Sequence, residues 1–113
     1  MLRKSEATPP LGEFEVLVLT AVLAARQDAY GAVIHEEIEG LVNGNREVSL
    51  GSVYTTLDRL EQKGYLKSWT GEPTPERGGR AKRYYEVQAS GQRALRAALE
   101  PMKKAALIVE QLG

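Results

Sequence analysis

Cations are concentrated in one part of this sequence, where they could bind an anion. Residues 46–96 contain ten basic and six acidic residues and residues 1–45 contain three basic and seven acidic residues, in a chain of zero formal net charge. The density of basic residues is highest at residues 77–83, which contain Arg77, Arg80, Lys82 and Arg83 together with two glycines. Such a block indicates a cationic surface presented to an anion, with a solvated loop as the alternative.

The composition gives little support to other kinds of chemistry. The chain has no cysteine and a single histidine, His35, which excludes a disulfide framework, a thiolate zinc site, a cysteine nucleophile and a site with several histidines. The acidic cluster at Glu36, Glu37 and Glu39 has no matching second carboxylate site, so acid–base catalysis is not indicated. We therefore predict no catalytic residue, no metal site and no cofactor, and interpret His35 as an exposed or capped side chain.

Length and hydropathy predict a small cytoplasmic protein without a membrane partner. The 113 residues suffice for one domain, or for one domain with an appended element. The longest apolar run, Val16–Ala25, is interrupted by Thr20 and is shorter than the roughly 20 residues that a spanning helix needs. Residues 1–10 have no apolar segment after their two basic residues, which is typical of a short flexible arm rather than a signal peptide.

Apolar periodicity predicts three helices in the first half of the chain. Leu11–Arg26 is apolar nearly all round, which indicates burial on more than one side and a surface that awaits another subunit. Gly31–Val42 carries apolar residues at helical spacing. Ser49 suits the N-cap of a third helix, Leu50–Lys63, and Gly64 suits its C′ position.

The third predicted helix has one apolar face and one polar face. At about 100° per residue, Val53 and Leu60 fall close to Leu57, with Leu50 and Tyr54 at the edge of that face. The opposite face starts with small polar residues and continues with cations: Ser52, Thr55, Thr56, Arg59 and Lys63. Arg59 and Lys63 could instead pair with the neighbouring Asp58 or Glu61, although exposed pairs of this kind are weak.

A β-hairpin and a last helix are predicted for the second half. Tyr65–Thr70 and Arg80–Val87 alternate like strands around the glycine- and proline-rich loop Gly71–Gly79. Ser90 is predicted to cap a final helix that ends near Leu112, and Pro101 is expected to kink or split it. The apolar stripe of this helix is wide enough for two neighbours, namely the body of the domain and a partner subunit.

The order of elements predicts a mainly α fold with a small antiparallel β wing, that is, a winged helix-turn-helix, followed by a C-terminal dimerisation helix. The predicted organisation is a flexible arm at 1–10, a winged-helix domain at 11–88 and the dimerisation helix at 89–113. Small polar groups at the start of a recognition helix suit base edges, and cations along the helix and on the wing suit phosphates.

Residues 11–96 resemble the PadR-like family of winged-helix transcriptional regulators. The resemblance depends on a series of short motifs in a fixed order, and it is to the short type, which has a single C-terminal helix. These motifs are Tyr30-Gly31, the run from Val48 to Tyr54, Leu57-Asp58-Arg59-Leu60-Glu61, Gly64-Tyr65-Leu66, the run from Gly79 to Val87, and Ser90-Gly91.

The resemblance implies a homodimeric regulator, usually a repressor, that binds double-stranded DNA, with a small-molecule effector near the dimer interface. Two recognition helices would then contact a pseudo-palindrome whose half-sites lie about 34–36 Å apart. The predicted DNA-binding residues are Ser49, Ser52, Tyr54, Thr55, Thr56, Arg59, Lys63, Arg77, Arg80, Lys82 and Arg83. The predicted dimer interface comprises Leu11, Phe14, Val18, Leu95, Leu99, Met102, Ala106 and Val109.

Several alternatives remain open at this point. Winged helices can also act as protein–protein adaptors, although an adaptor does not need four cations in seven wing residues. Tyr54 could contact a phosphate or lie at the edge of the core. Trp69 could stack on an effector or anchor the wing, and Tyr84 and Tyr85 should face opposite sides of their strand.

Overall fold

The computed structural model describes residues 11–72 and 81–113, which form four helices and one hairpin. The first ten residues, together with Arg77 and Arg80 of the predicted basic loop, lie outside the described residues. A short 3-10 turn at Arg26–Asp28 follows the first helix. The elements are α1 (Glu13–Ala25), α2 (Gly31–Val42), α3 (Leu50–Gln62), β1 (Leu66–Thr70), β2 (Arg83–Val87) and α4 (Ala89–Leu112).

The core lies where α1, α2 and α3 meet and where the hairpin covers them. Its fully buried members include Val18, Leu19, Ile34, Leu57 and Leu60, and burial of such a side chain contributes about 1.5–3 kcal/mol. Val18 therefore belongs to the protein's own core, so its prediction as a dimer contact is wrong. The same correction applies to Leu95 of α4, which is 5% exposed. Both are covered because α1 contacts α2, α3, β2 and α4.

The hairpin is an antiparallel pair in which Leu66 lies opposite Val87 and Thr70 lies opposite Arg83. Strand β2 begins three residues later than predicted. Its outer edge also pairs with the segment before α2, because the Tyr85 amide donates to the carbonyl of Ala29 over 2.9 Å. The predicted winged-helix fold class, with its small antiparallel wing and C-terminal helix, is confirmed.

Aromatic side chains attach the wing, which is formed by β1 and β2, to the body. Tyr85 is buried and Tyr84 is half-buried on the opposite face, as the alternation predicted. The Trp69 ring stacks on Tyr84 with centroids 6.1 Å apart, and Tyr84 meets the edge of Tyr30 at 5.6 Å. These contacts favour the interpretation of Trp69 as an anchor of the wing.

The start of α4 is fastened to the turn between α3 and β1. The Gln88 amide donates to the carbonyl of Tyr65 over 2.8 Å, and the Ser90 hydroxyl donates to the carbonyl of Gly64 over 2.7 Å. Ser90 is therefore not the N-cap that the sequence suggested, since its hydroxyl binds the preceding turn and Gln88 occupies the cap position. Gly91 leaves no room for a Cβ atom against Tyr65.

Helix α4 is continuous through Pro101, so the expected split does not occur. Pro101 lacks the donor that would bond the carbonyl of Ala97, and Ala97 is exposed, which leaves that carbonyl accessible to water. Every residue from 101 to 113 is exposed. The distal half of α4 thus extends beyond the packed body in the part of the chain that the structure describes.

Candidate nucleic-acid interface

Helix α3 is the central element of the predicted interface, and its ends form as the sequence predicted. The Ser49 hydroxyl accepts a hydrogen bond from the Ser52 amide over 3.1 Å, which caps the helix start. Gly64 follows the last turn with φ +81°, a conformation that glycine adopts without strain. The cap directs the side chains of Ser49 and Ser52 to the solvent-exposed end of the helix.

The outer face of α3 is narrower than predicted. Ser52, Thr55 and Arg59 are exposed, whereas Thr56 is only 4% exposed. Thr56 lies one turn from Val53 and Leu60 on the buried side, where α1, α2 and β1 pack against α3. The assignment of Thr56 to the DNA-binding surface is therefore wrong.

Tyr54 lies at the edge of the core and remains 42% exposed, which fits the expected core-edge position, and its phosphate contact stays a prediction. Its hydroxyl end rests on Gly31, the first residue of α2, so closely that a Cβ atom at that position would overlap it. This contact gives Gly31 a steric reason to lack a side chain. It also fixes the distance between the start of α2 and the outer face of α3.

Lys63 is an exposed residue whose ammonium group is engaged by a buried carboxylate. Its ammonium group lies 2.7 Å from the Glu15 carboxylate of α1, and its side chain is 30% exposed. The expected pair with Asp58 or Glu61 is thus wrong for Lys63, whereas its phosphate contact stays a prediction. Among the described residues Arg59 forms no ion pair, so its guanidinium group remains available.

Glu15 is the buried carboxylate that forms the ion pair with Lys63. Burial alone would raise the pKa of Glu15, but the hydrogen bond from Lys63 and the bond from the Gly12 amide outweigh it. The positive charges of Lys63 and Arg59 add to this effect, so the pKa of Glu15 lies below its usual value. Sequence analysis missed this pair because 48 positions separate the two residues.

The base of the wing presents cations beside the helix-turn-helix unit. Lys82 and Arg83 are exposed, and the Lys82 ammonium lies 4.3 Å from the ring centroid of Tyr30, just before α2. On the same hairpin Lys67 pairs with Glu86 at 3.3 Å. On the buried face, burial raises the pKa of Tyr85, and the nearby Asp58 carboxylate raises it further.

The candidate dimer surface lies on the distal half of α4. Met102 is 67% exposed, Val109 is 65% exposed and Ala106 is also exposed, whereas Leu99, Leu11 and Phe14 are half-buried. Leu107 was not predicted, because it lies outside the repeating stripe. The large apolar side chains exposed on this half of the helix are Met102, Leu107, Ile108, Val109 and Leu112.

A cavity of about 460 Å³ lies between the end of α1, the wing and α4. Its lining combines apolar and aromatic side chains with residues that carry hydrogen-bonding groups. Arg26, at φ +54°, stands at the rim in a backbone conformation that side chains rarely adopt. The lining residues are Val22, Leu23, Arg26, Gln27, Trp69, Tyr85, Glu86, Val87 and Gln92.

Within residues 11–72 and 81–113, the His, Asp and Glu side chains form no group of three that could hold a metal ion. No helix in those ranges has the length and apolar content needed to cross a bilayer.

A family of known proteins matches most of the chain. The family model described as the transcriptional regulator PadR-like family matches residues 18–97. No curated protein matches the chain.

Solved structures share the fold. A transcriptional regulator from Clostridium thermocellum is 22% identical with a TM-score of 0.66, and 86% of each chain is covered. A PadR family regulator from Clostridium difficile is 24% identical with a TM-score of 0.63, over 90% of this chain and 100% of that chain. A PadR-like regulator from Bacillus cereus is 19% identical with a TM-score of 0.64, over 88% of this chain and 89% of that chain.

Proposed function

The chain belongs to the PadR-like family of transcriptional regulators, and from this premise we propose that it is a homodimeric repressor acting in the cytoplasm on a pseudo-palindromic DNA operator. The family consists of DNA-binding regulators rather than enzymes. The observation that carries the proposal is the exposed outer face of α3, which combines hydroxyl groups with the exposed Arg59 and stands beside the cationic base of the wing.

Recognition is divided between the two parts of this surface. Ser52 and Thr55 on the first turns of α3 would face base edges in the major groove, where hydroxyl groups can both donate and accept hydrogen bonds. Arg59, Lys82 and Arg83 would neutralise phosphates, which contribute affinity without sequence information. Arg77 and Arg80 on the wing loop would add to the second group.

Dimerisation is supported by the exposed apolar face on the distal half of α4. The exposed side chains on this face include Met102, Ile108, Val109 and Leu112. Pairing with the same helix of a second copy would bury them in a self-complementary arrangement typical of twofold dimers. Leu11, Phe14 and Leu99, each half-buried, would lie at the edge of that interface.

The cavity at the end of α1 is the proposed effector site. An effector bound there would contact the wing through Trp69 and α4 through Gln92, so it could bias the relative placement of the DNA-binding and dimerisation elements. Because Trp69 is the only tryptophan, its fluorescence reports on occupancy directly. Quenching by 1-anilinonaphthalene-8-sulfonate that is lost in Arg26→Ala would support the site, and unchanged quenching would count against it.

Selection of binding sites from a random pool of duplex DNA tests the proposal as a whole. We expect a palindromic consensus with half-sites about one helical turn apart, bound by two copies of the chain. Enrichment of no sequence by a folded protein would favour the alternative function, a winged-helix protein–protein adaptor.

A further inference from the structure

His35 is the single histidine of the chain, and the geometry points to it as the residue that positions the first turn of α3 for contact with DNA. Its Nε2 atom lies 2.7 Å from the carbonyl oxygen of Val48, the residue immediately before the Ser49 cap. A carbonyl oxygen only accepts hydrogen bonds, so Nε2 carries the proton and donates it. This inference rests on the proposed function, because it concerns how the recognition helix is held.

The donor is itself held firmly. His35 lies in the middle of α2 between Ile34 and Ile38, both of which are fully buried, so its backbone is fixed by the core. Its ring is only 24% exposed, and Nδ1 faces Glu39 one turn later, with 3.6 Å to the carboxylate oxygen. The hydrogen bond from Nε2 therefore holds the segment that leads into α3 in place relative to α2.

That segment is otherwise held by side-chain contacts, since Val48 packs half-buried against the core and the Arg46 guanidinium lies 5.4 Å from the Phe14 ring centroid. Residues 43–49 contain no helix or strand. Arg46 contacts Glu13 at 3.1 Å, but that pair is exposed and contributes little. The Ser49 cap is local to α3 and does not define where the helix start lies relative to α2. The Tyr54 contact with Gly31 and the apolar packing of Val48 also bear on this distance, and the bond from His35 to Val48 is the polar contact between α2 and the residue just before the Ser49 cap.

The positioning matters for base contacts more than for phosphate contacts. The first residues of a recognition helix are those that meet base edges, and such contacts tolerate displacements of well under 1 Å. Lys82 and Arg83 belong to the wing, which is attached through Tyr84 and Tyr85 rather than through Val48. Loss of the bond should therefore reduce selectivity while leaving non-selective binding intact.

A comparison of His35→Leu with His35→Gln tests the proposal. Leucine fills the space without a donor, whereas glutamine restores an N–H group at about the same reach. For His35→Leu we expect about five- to tenfold weaker binding to the selected palindrome and unchanged binding to a random duplex at the same salt concentration, with most of the loss recovered by His35→Gln.

Amide hydrogen exchange provides a readout without DNA. In His35→Leu the amides of Ser52 and Val53 should exchange at least about fivefold faster, with those of the last turn of α3 unchanged and His35→Gln near wild type. An unchanged selectivity ratio together with unchanged exchange, or equal losses in the leucine and glutamine variants, would overturn the assignment. A wild-type protein that selects no sequence would contradict the proposed function instead, and the exchange experiment would still decide the role of His35.

Discussion

The Glu15 carboxylate and the Lys63 ammonium group lie 2.7 Å apart and join the start of α1 to the end of α3. Glu15 also accepts a hydrogen bond from the Gly12 amide over 2.9 Å, so one carboxylate both caps α1 and fastens the recognition helix. The Lys63 ammonium group, which we expected to contact phosphate, thus forms an ion pair within the fold.

Replacement of Glu15 by glutamine should lower the free energy of unfolding by about 1–2 kcal/mol at pH 7, since the ion pair is lost while the acceptor for Gly12 remains. Folding lowers the pKa of Glu15 below its ordinary 4.5, so its stabilising contribution is present above that value and disappears as pH falls through the folded value. Denaturant titrations at pH 7 and below pH 4 should show the gap between wild type and E15Q closing. Glu13→Gln, which changes an exposed acid paired with Arg46, serves as the control and should cost less than about 0.5 kcal/mol.

Gly31→Ala should destabilise the protein by about 1–3 kcal/mol, because the new methyl group overlaps the Tyr54 ring. Gly40→Ala lies on the same helix in open space, and it should be neutral or stabilise by up to about 1 kcal/mol. Thermal unfolding of the two variants separates steric overlap from a general effect of alanine. If Gly31→Ala costs as much in a Tyr54→Leu background as in wild type, the contact is not the cause.

Double replacement of Lys82 and Arg83 by alanine should make the dependence of log affinity on log salt shallower by about 2, one for each lost phosphate contact. The matched control is Lys103→Ala with Lys104→Ala, which removes the same charge from the distal part of α4. Binding titrations over a salt series distinguish the two. Equal slopes for both double variants would mean that the wing base does not contact DNA.

Val109→Glu should convert the dimer into monomers, because it places a charge in the middle of the exposed apolar face of α4. Gln111→Glu introduces the same carboxylate on the opposite side of the helix and should leave the dimer intact. Sedimentation velocity measures both. A Val109→Glu protein that still sediments as a dimer would place the interface elsewhere.

Local patterns account for what the sequence predicted well. The bounds of α2 and the Ser49 and Gly64 ends of α3 follow from capping residues and apolar periodicity, which act within a few residues. Failures occurred where distant elements decide the outcome. Thr56 and Val18 are buried because several elements surround their helices, a property that a helical projection cannot contain.

Contacts between polar residues that lie far apart in the sequence could not be predicted either. Lys63 pairs with Glu15, and His35 and Ser90 donate hydrogen bonds to the carbonyls of Val48 and Gly64. No sequence periodicity relates the members of these pairs. The exposure of Ser52, Thr55 and Arg59 was therefore predictable from the sequence, whereas the contacts that hold their helix in place were not.

The central claim is that the outer face of α3 and the base of the wing bind DNA. Titration of the selected palindrome into the ¹⁵N-labelled protein, followed by amide chemical shifts, tests it most directly. The account predicts the largest changes at Ser52, Thr55, Arg59, Lys82 and Arg83, with none on the exposed acidic side of α2 around Glu36 and Glu39. Changes confined to the distal half of α4, or to α2, would contradict it.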